Sequence, residues 1–84
     1  MKSIKLLDYK PYMGTLIDVR PKYEYNLKPL KNSINIPYDE LIFNHSKYLD
    51  KSKKYYVICS GGIKSKKAAN ILSVYGYDVS NVVR

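Results

Sequence analysis

The sequence is short of the residues that hold many small folds together through covalent or metal links. Its 84 residues include one cysteine, one histidine, one phenylalanine and no tryptophan. A single cysteine cannot form a disulfide within the chain, and one cysteine with one histidine cannot form a multi-cysteine zinc site. We therefore expect a reduced, cytoplasmic protein with no metal or cofactor, folded as one domain (residues 1–84) around a modest core.

Long apolar runs and acidic residues are also scarce. No stretch is long enough to span a membrane and no signal-peptide pattern is present, so we expect no membrane association. Seven acidic residues stand against 15 basic ones, which gives a net charge of +8. The lysines are scattered and no nucleic-acid recognition motif accompanies them. The charge therefore favours small anions or an acidic partner surface over nucleic acid.

Short apolar segments alternate with helical patterns along the chain. Strands are predicted at 16–19, 33–37 and 55–59, and less clearly at 4–7. A final short strand is predicted in two pieces, 77–79 and 82–83. Helices are predicted at 21–27, 39–49 and 68–75, and a loop at 8–14. Strands that alternate with helices predict an α/β fold with a mostly parallel sheet.

The cysteine lies at the junction of the most apolar strand and the most regular helix. Cys59 ends the strand, and Gly61 and Gly62 precede the helical pattern. Glycines allow the backbone N–H groups to surround an anion, and a helix N-terminus stabilises negative charge. Because a thiolate in such a setting has a lowered pKa, Cys59 is a candidate nucleophile.

Asp18 and Arg20 lie at the end of another predicted strand. Ligands of parallel sheets bind beyond the carboxyl ends of the strands, so both residues are expected at the same site as Cys59. Two roles remain open for them. They contact a substrate directly, or they form an ion-pair cluster with Glu24 that fixes the first helix to the strand.

Other charged residues near the junction allow two interpretations. Lys64, Lys66 and Lys67 precede the helical stripe, where cations oppose the helix dipole, so they are either functional or a result of the lysine-rich composition. His45 lies on the apolar stripe of the 39–49 helix, where a packed structural role is more common than a catalytic one.

Five segments in order resemble a single-domain rhodanese, a thiosulfate-type sulfurtransferase. They are residues 16–20, 24–25, 33–37, 59–65 and 76–79. The resemblance implies a rhodanese-like α/β fold, with a small sheet flanked by helices and shortened elements at both termini. The family's active-site loop is a cysteine, five residues, and a serine or threonine that opens the helix, matched here by Cys59 and Ser65. Related phosphatase loops end in arginine, so phosphoryl transfer is disfavoured.

The resemblance implies sulfur transfer through a persulfide on Cys59. The donor would be a small anion such as thiosulfate, and the acceptor a thiol, cyanide or a sulfur-carrier protein, with the enzyme a monomer or weak dimer. Ile63 would form an apolar wall, Lys64 would attract the anion and Ser65 would supply a hydroxyl. With the strand-end residues, the candidate substrate-binding set is Ser60, Gly61, Gly62, Ile63, Lys64, Ser65, Arg20 and Asp18.

The loop departs from the family at two positions where arginine is common. This chain has Ser60 and Lys64 there, so the loop cannot bind a sulfonate through the paired N–H donors of an arginine. The alternative to an enzyme is a rhodanese-like interaction module whose cysteine is redox-sensing or non-catalytic. The pH dependence of Cys59 alkylation distinguishes the two, because an ordinary thiol pKa favours the module.

Overall fold

The computed structural model describes residues 2–84, which fold into five strands and four α-helices. The strands are β1 (Lys2–Lys5), β2 (Thr15–Asp18), β3 (Ser33–Asn35), β4 (Lys54–Ile58) and β5 (Asp78–Val83). The α-helices are α1 (Lys22–Leu27), α2 (Tyr38–Phe43), α3 (His45–Tyr48) and α4 (Ile63–Val74), and two 3-10 helices cover Leu6–Asp8 and Pro11–Met13. None of the helices in this part of the chain has the length and apolar character needed to cross a membrane.

The five strands form one sheet in the order β1-β5-β4-β2-β3, and every neighbouring pair is parallel. The predicted α/β fold with a mostly parallel sheet is thus confirmed. Strand β5 is continuous where the sequence predicted an interruption. Ser80 and Asn81 are polar, yet both are buried and pair in register with Tyr56 and Val57 of β4.

Helices cover one face of the sheet, and the N-terminal segment covers much of the other. Val57 packs in a cluster with Leu41 of α2 and Leu72 of α4. On the opposite face Tyr56 packs with Tyr9, whose ring centroid lies 5.3 Å away. The predicted 8–14 loop therefore supplies core residues as well as connecting two strands.

The prediction of one helix over 39–49 was wrong, because the chain breaks into α2 and α3 at Asn44. The Asn44 side-chain amide donates to the carbonyl oxygen of Glu40 at 3.2 Å, and its φ of −128° lies outside the helical range. Leu41 and Leu49 are still buried as the apolar stripe predicted.

The sequence predicts an apolar stripe of Ala68, Ile71, Leu72 and Tyr75 on this helix, and α4 buries a slightly different face. Tyr75 is half exposed, and Ala69 takes its place among the buried residues with Ala68 and Leu72. Ser65 is also on this buried face, so the packing of α4 against the sheet fixes its side chain. The helix ends before Gly76, as predicted.

Candidate active site

The backbone that follows β4 turns around the sulfur of Cys59. The amide of Gly62 donates to Cys59 Sγ at 3.1 Å, and the amide of Ser65 donates at 3.3 Å. The Ser65 hydroxyl oxygen lies 3.4 Å from Sγ and 3.3 Å from the carbonyl oxygen of Gly62. Two amides and one hydroxyl therefore converge on a single sulfur.

This turn depends on Gly62, which has a φ of +87°. Residues with a side chain rarely adopt this left-handed conformation. A Cβ at this position would meet no atom within 4 Å, so the requirement is conformational and not one of space. The turn lets α4 begin at Ile63, where the first amides have no partner inside the helix and can face Sγ.

Burial and hydrogen bonding shift the pKa of the Cys59 thiol in opposite directions. Burial disfavours the thiolate, whereas the hydroxyl of Ser65 and the amides of Ser65, Gly62 and Lys64 stabilise it. The hydrogen bonds outweigh burial, so the pKa of the Cys59 thiol is lowered from its ordinary value. The thiolate is the nucleophilic form of cysteine, so the lowered pKa increases the nucleophilic fraction of Cys59 at a given pH.

Replacing Ser65 with alanine is expected to raise the pKa of the Cys59 thiol, because the substitution removes a hydrogen bond to the thiolate. The rate of Cys59 alkylation by iodoacetamide, measured against pH, should then rise at a higher pH than in the wild type. Ser60→Ala is the matched control, since the Ser60 side chain is exposed and makes no hydrogen bond to Sγ in the described chain. An unchanged Ser65→Ala profile would show that the hydroxyl does not stabilise the thiolate.

Cys59 lies beside a cavity of about 410 Å³, a volume in the range of small-molecule sites. The Cys59 side chain is 6% exposed, so the sulfur is largely enclosed yet reaches this space. Ile63 supplies an exposed apolar wall and Lys64 a cation. Five of the predicted substrate-binding residues line the cavity: Arg20, Ser60, Gly61, Ile63 and Lys64.

Asp18 and Arg20 hold different positions at this cavity. Asp18 is fully buried, and its Oδ1 accepts hydrogen bonds at 3.0 Å from both the backbone N–H and Nε of Arg20. Its Oδ2 lies 2.8 Å from Arg20 Nη2. Of the two roles that the sequence left open for Asp18, this placement favours the ion pair over substrate contact, because the carboxylate is fully buried against Arg20. Glu24, 3.9 Å from Arg20, completes the ion-pair cluster that the sequence left as one of two possibilities.

Ser65 lies near the start of α4 and directs its hydroxyl at the sulfur of Cys59. Its side chain is fully buried against Cys59 and Gly62, so it is not available to a molecule in the cavity. Gly62 lines a smaller cavity of about 170 Å³ on the other side of the loop. Both residues therefore act on the sulfur itself and not on the remainder of a substrate.

The three lysines near the start of α4 differ in which cavity they line. Lys64 and Lys67 place Nζ 5.6 and 5.9 Å from the ring centroid of Tyr38. Lys66 and Lys67 line a shallow groove beside α4, whereas Lys64 lines the Cys59 cavity. Of the three, Lys64 has the position required to attract an anion toward the sulfur.

His45 has a packed position within residues 2–84. Its Nδ1 lies 2.8 Å from the hydroxyl of Tyr77, and its ring stacks on Tyr75 with centroids 4.5 Å apart. These contacts join α3 to the segment that follows α4, which is the structural role expected from the apolar stripe.

Sequence reasoning missed the residues that β5 brings to the site. Arg84 Nε donates to the backbone carbonyl oxygen of Cys59 at 3.1 Å. Asn81 is 5% exposed and lines the smaller cavity with Cys59. The signal needed to find them was the strand order, because β5 lies next to β4 and its carboxyl end therefore lies beside the loop.

The described residues form no group of three or more His, Cys, Asp or Glu side chains that could hold a metal ion. The site instead combines an ionisable sulfur, backbone amides aimed at it and a cation beside the adjoining cavity. Such an arrangement supports nucleophilic attack by Cys59 and stabilises a negatively charged sulfur product.

Comparison with known proteins identifies relatives of the whole chain. The family described as Rhodanese-like domain matches residues 3–84. The crystal structure of a rhodanese-related protein from Thermoplasma volcanium is 37% identical, with a TM-score of 0.86, and the match covers 98% of this chain and 83% of that one.

Two curated relatives are much longer proteins. An adenylyltransferase and sulfurtransferase of Ogataea parapolymorpha is 40% identical over 63 residues, which are 75% of this chain and 16% of the relative. A tRNA uridine(34) hydroxylase of Rickettsia canadensis is 33% identical over 69 residues, which are 75% of this chain and 27% of the relative. The chain thus spans about a quarter or less of the length of these two proteins.

Proposed function

The chain belongs to the rhodanese-like domain family, and we propose that it is a sulfurtransferase that carries sulfur as a persulfide on Cys59. The observation that carries this proposal is the convergence of the Gly62 and Ser65 amides on a cysteine sulfur beside an open cavity. The curated relative from Ogataea parapolymorpha is named as a sulfurtransferase, which supports the same chemistry.

Loading of the enzyme follows from the lowered pKa of the Cys59 thiol. The thiolate attacks the outer sulfur of thiosulfate, and a new S–S bond forms as the original S–S bond breaks. The electron pair of the broken bond leaves with sulfite, and the negative charge of Cys59 moves to the outer sulfur of the persulfide. Amides that point at Sγ stabilise this anionic group without a base or a metal ion.

Discharge returns the thiolate. The anionic persulfide first takes up a proton from water. A thiolate or cyanide acceptor then attacks its outer sulfur, and the bond from that sulfur to Sγ breaks. The electron pair remains on Sγ, and the outer sulfur and its proton leave with the acceptor product. The Ser65 hydroxyl can donate to the Gly62 carbonyl oxygen when Sγ is uncharged and turn to Sγ when the thiolate forms.

The direct test is intact-mass measurement after thiosulfate treatment and removal of excess reagent. We expect a mass increase of one sulfur atom, located on Cys59, that disappears when cyanide is added and thiocyanate is released. A cysteine that alkylates readily but never gains sulfur would contradict the proposal. That outcome would instead favour a redox-sensing or non-catalytic interaction module.

Replacing Lys64 with glutamine is expected to raise the KM for thiosulfate about 2- to 5-fold with little change in kcat. Lys64 lines the cavity and attracts the dianion, but it makes no hydrogen bond to Sγ with its side chain. Steady-state kinetics at low and high salt measure the effect, which should shrink as salt screens the charge.

Lys66→Gln is the matched control for this substitution. It removes the same charge from the same helix, but Lys66 lines the groove beside α4 and not the Cys59 cavity. Equal KM changes in the two variants would show that net charge, and not the position of Lys64, governs donor binding.

A further inference from the structure

The two arginines of the chain line one cavity beside the residue that follows the catalytic cysteine. Arg20 comes from the end of β2 and Arg84 from the end of β5, 64 positions apart in sequence. Both line a cavity of about 200 Å³ whose wall includes Ser60. Lys28, Pro29 and Leu30 form the rest of its lining.

Existing hydrogen bonds hold both guanidinium groups and leave part of each unused. Arg20 is fixed by Asp18 and by the carbonyl oxygen of Lys28, which accepts from Nη2 at 2.9 Å. Arg84 is fixed by Nε on the carbonyl oxygen of Cys59. Within residues 2–84, Arg20 Nη1 and both Nη atoms of Arg84 have no hydrogen-bond acceptor. These donors are therefore unpaired among the described residues and available to a ligand.

The balance of charge at this cavity is positive. The buried carboxylate of Asp18 compensates Arg20, and Glu24 lines the neighbouring 410 Å³ cavity. Arg84 has no carboxylate within ion-pair distance in the described chain. Planar guanidinium groups bind carboxylates and sulfonates through paired N–H donors, so the cavity has the chemistry of an oxyanion site.

The cavity is also connected to the reacting sulfur. Arg20 and Ser60 line both the 200 Å³ cavity and the 410 Å³ cavity that reaches Cys59. A small molecule can therefore place its sulfur at Cys59 and a second group between the arginines. The space exceeds the needs of an inorganic ion, and the walls beside Cys59 include the apolar side chains of Val19 and Ile63.

We propose that Arg20 and Arg84 form an oxyanion subsite for the carboxylate or sulfonate end of a small organic thiol that accepts sulfur from Cys59. This inference rests on the proposed function. The acceptor thiolate forms an S–S bond to the outer sulfur, the bond to Sγ breaks, and Sγ keeps the electron pair. The arginine pair thereby supplies guanidinium groups for anion binding, which the loop lacks because it has Ser60 and Lys64 where arginine is common.

The kinetic test compares two acceptors on the persulfide-loaded enzyme, 3-mercaptopropionate and the neutral 2-mercaptoethanol. Loading is first verified by intact mass, and rates are compared per thiolate. Arg84→Gln should reduce the second-order rate for 3-mercaptopropionate about 10-fold and leave that for 2-mercaptoethanol unchanged. Each rate constant is divided by the wild-type rate constant for the same acceptor, so that the different intrinsic reactivities of the two thiols cancel. Equal reductions for both acceptors, or none for either, would overturn the subsite.

Lys53→Gln is the charge control, since exposed Lys53 lies next to the opposite end of β4 from Cys59. It removes one positive charge without altering the cavity, so it should not change the ratio of the rate constants for the two acceptors. A change equal to that of Arg84→Gln would assign the effect to net charge and contradict the proposal.

A binding test separates the subsite from the sulfur chemistry. In the Cys59→Ser variant, which cannot carry a persulfide, methanesulfonate is titrated while the Nε–H signals of Arg20 and Arg84 are followed by NMR. We expect saturable shifts that disappear when Arg84→Gln is added. If the variant binds methanesulfonate saturably but the wild type never gains sulfur, the subsite is supported and the proposed function is refuted. If the wild type gains sulfur but the variant shows no saturable binding, the subsite is refuted and the proposed function still stands.

Discussion

Replacing Cys59 with serine is expected to reduce sulfur transfer from thiosulfate to cyanide to the uncatalysed background, a loss of about 10³-fold or more. The reason is that the hydroxyl of serine remains protonated near neutral pH and cannot form a persulfide. The surrounding amides would remain in place, but they stabilise a charge that the variant never develops. Thiocyanate formation over time, with intact mass to follow the persulfide, provides the measurement.

The control for this variant moves the thiol by one position. The double variant Cys59→Ser/Ser60→Cys contains one cysteine, but its thiol lies outside the hydrogen bonds from Gly62 and Ser65. We expect no turnover from it, together with thermal unfolding close to that of the wild type. Undiminished turnover in Cys59→Ser would refute the enzyme assignment. Activity in the double variant would show that the hydrogen bonds from Gly62 and Ser65 are not required.

Replacing Asp18 with asparagine is expected to lower the free energy of unfolding by about 3–5 kcal/mol. The substitution removes the carboxylate that binds Arg20 through Nε, Nη2 and the backbone N–H, and it leaves the buried Arg20 without its main partner. A domain of this length has only about 5–10 kcal/mol of stability, so much of it would be lost. Chemical denaturation followed by circular dichroism measures the change.

Asp8→Asn is the matched control, because Asp8 is exposed and forms no ion pair among the described residues. Its effect is expected to stay within about 0.5 kcal/mol. If Asp18→Asn were as mild as Asp8→Asn, Glu24 at 3.9 Å would be sufficient to compensate Arg20. The role assigned here to Asp18 would then be wrong.

Local sequence patterns were sufficient for the parts of the fold that depend on neighbouring residues. The apolar run at 55–59 predicted β4, and the glycines after it predicted the turn at Cys59, because both depend on short-range backbone preferences. The same reasoning failed at Asn44, whose φ of −128° separates α2 from α3 where the apolar stripe alone predicts a continuous helix.

The sequence by itself determined the candidate nucleophile and its setting: one cysteine, between a buried strand and a helix that glycines precede. Only the tertiary structure decided which charged residues face the cavity. Asp18 and Arg20 are two positions apart, yet one is enclosed and the other lines the site. Arg84 reaches Cys59 because β5 lies beside β4. Strand order and burial arise from contacts between distant segments, and no local pattern records those contacts.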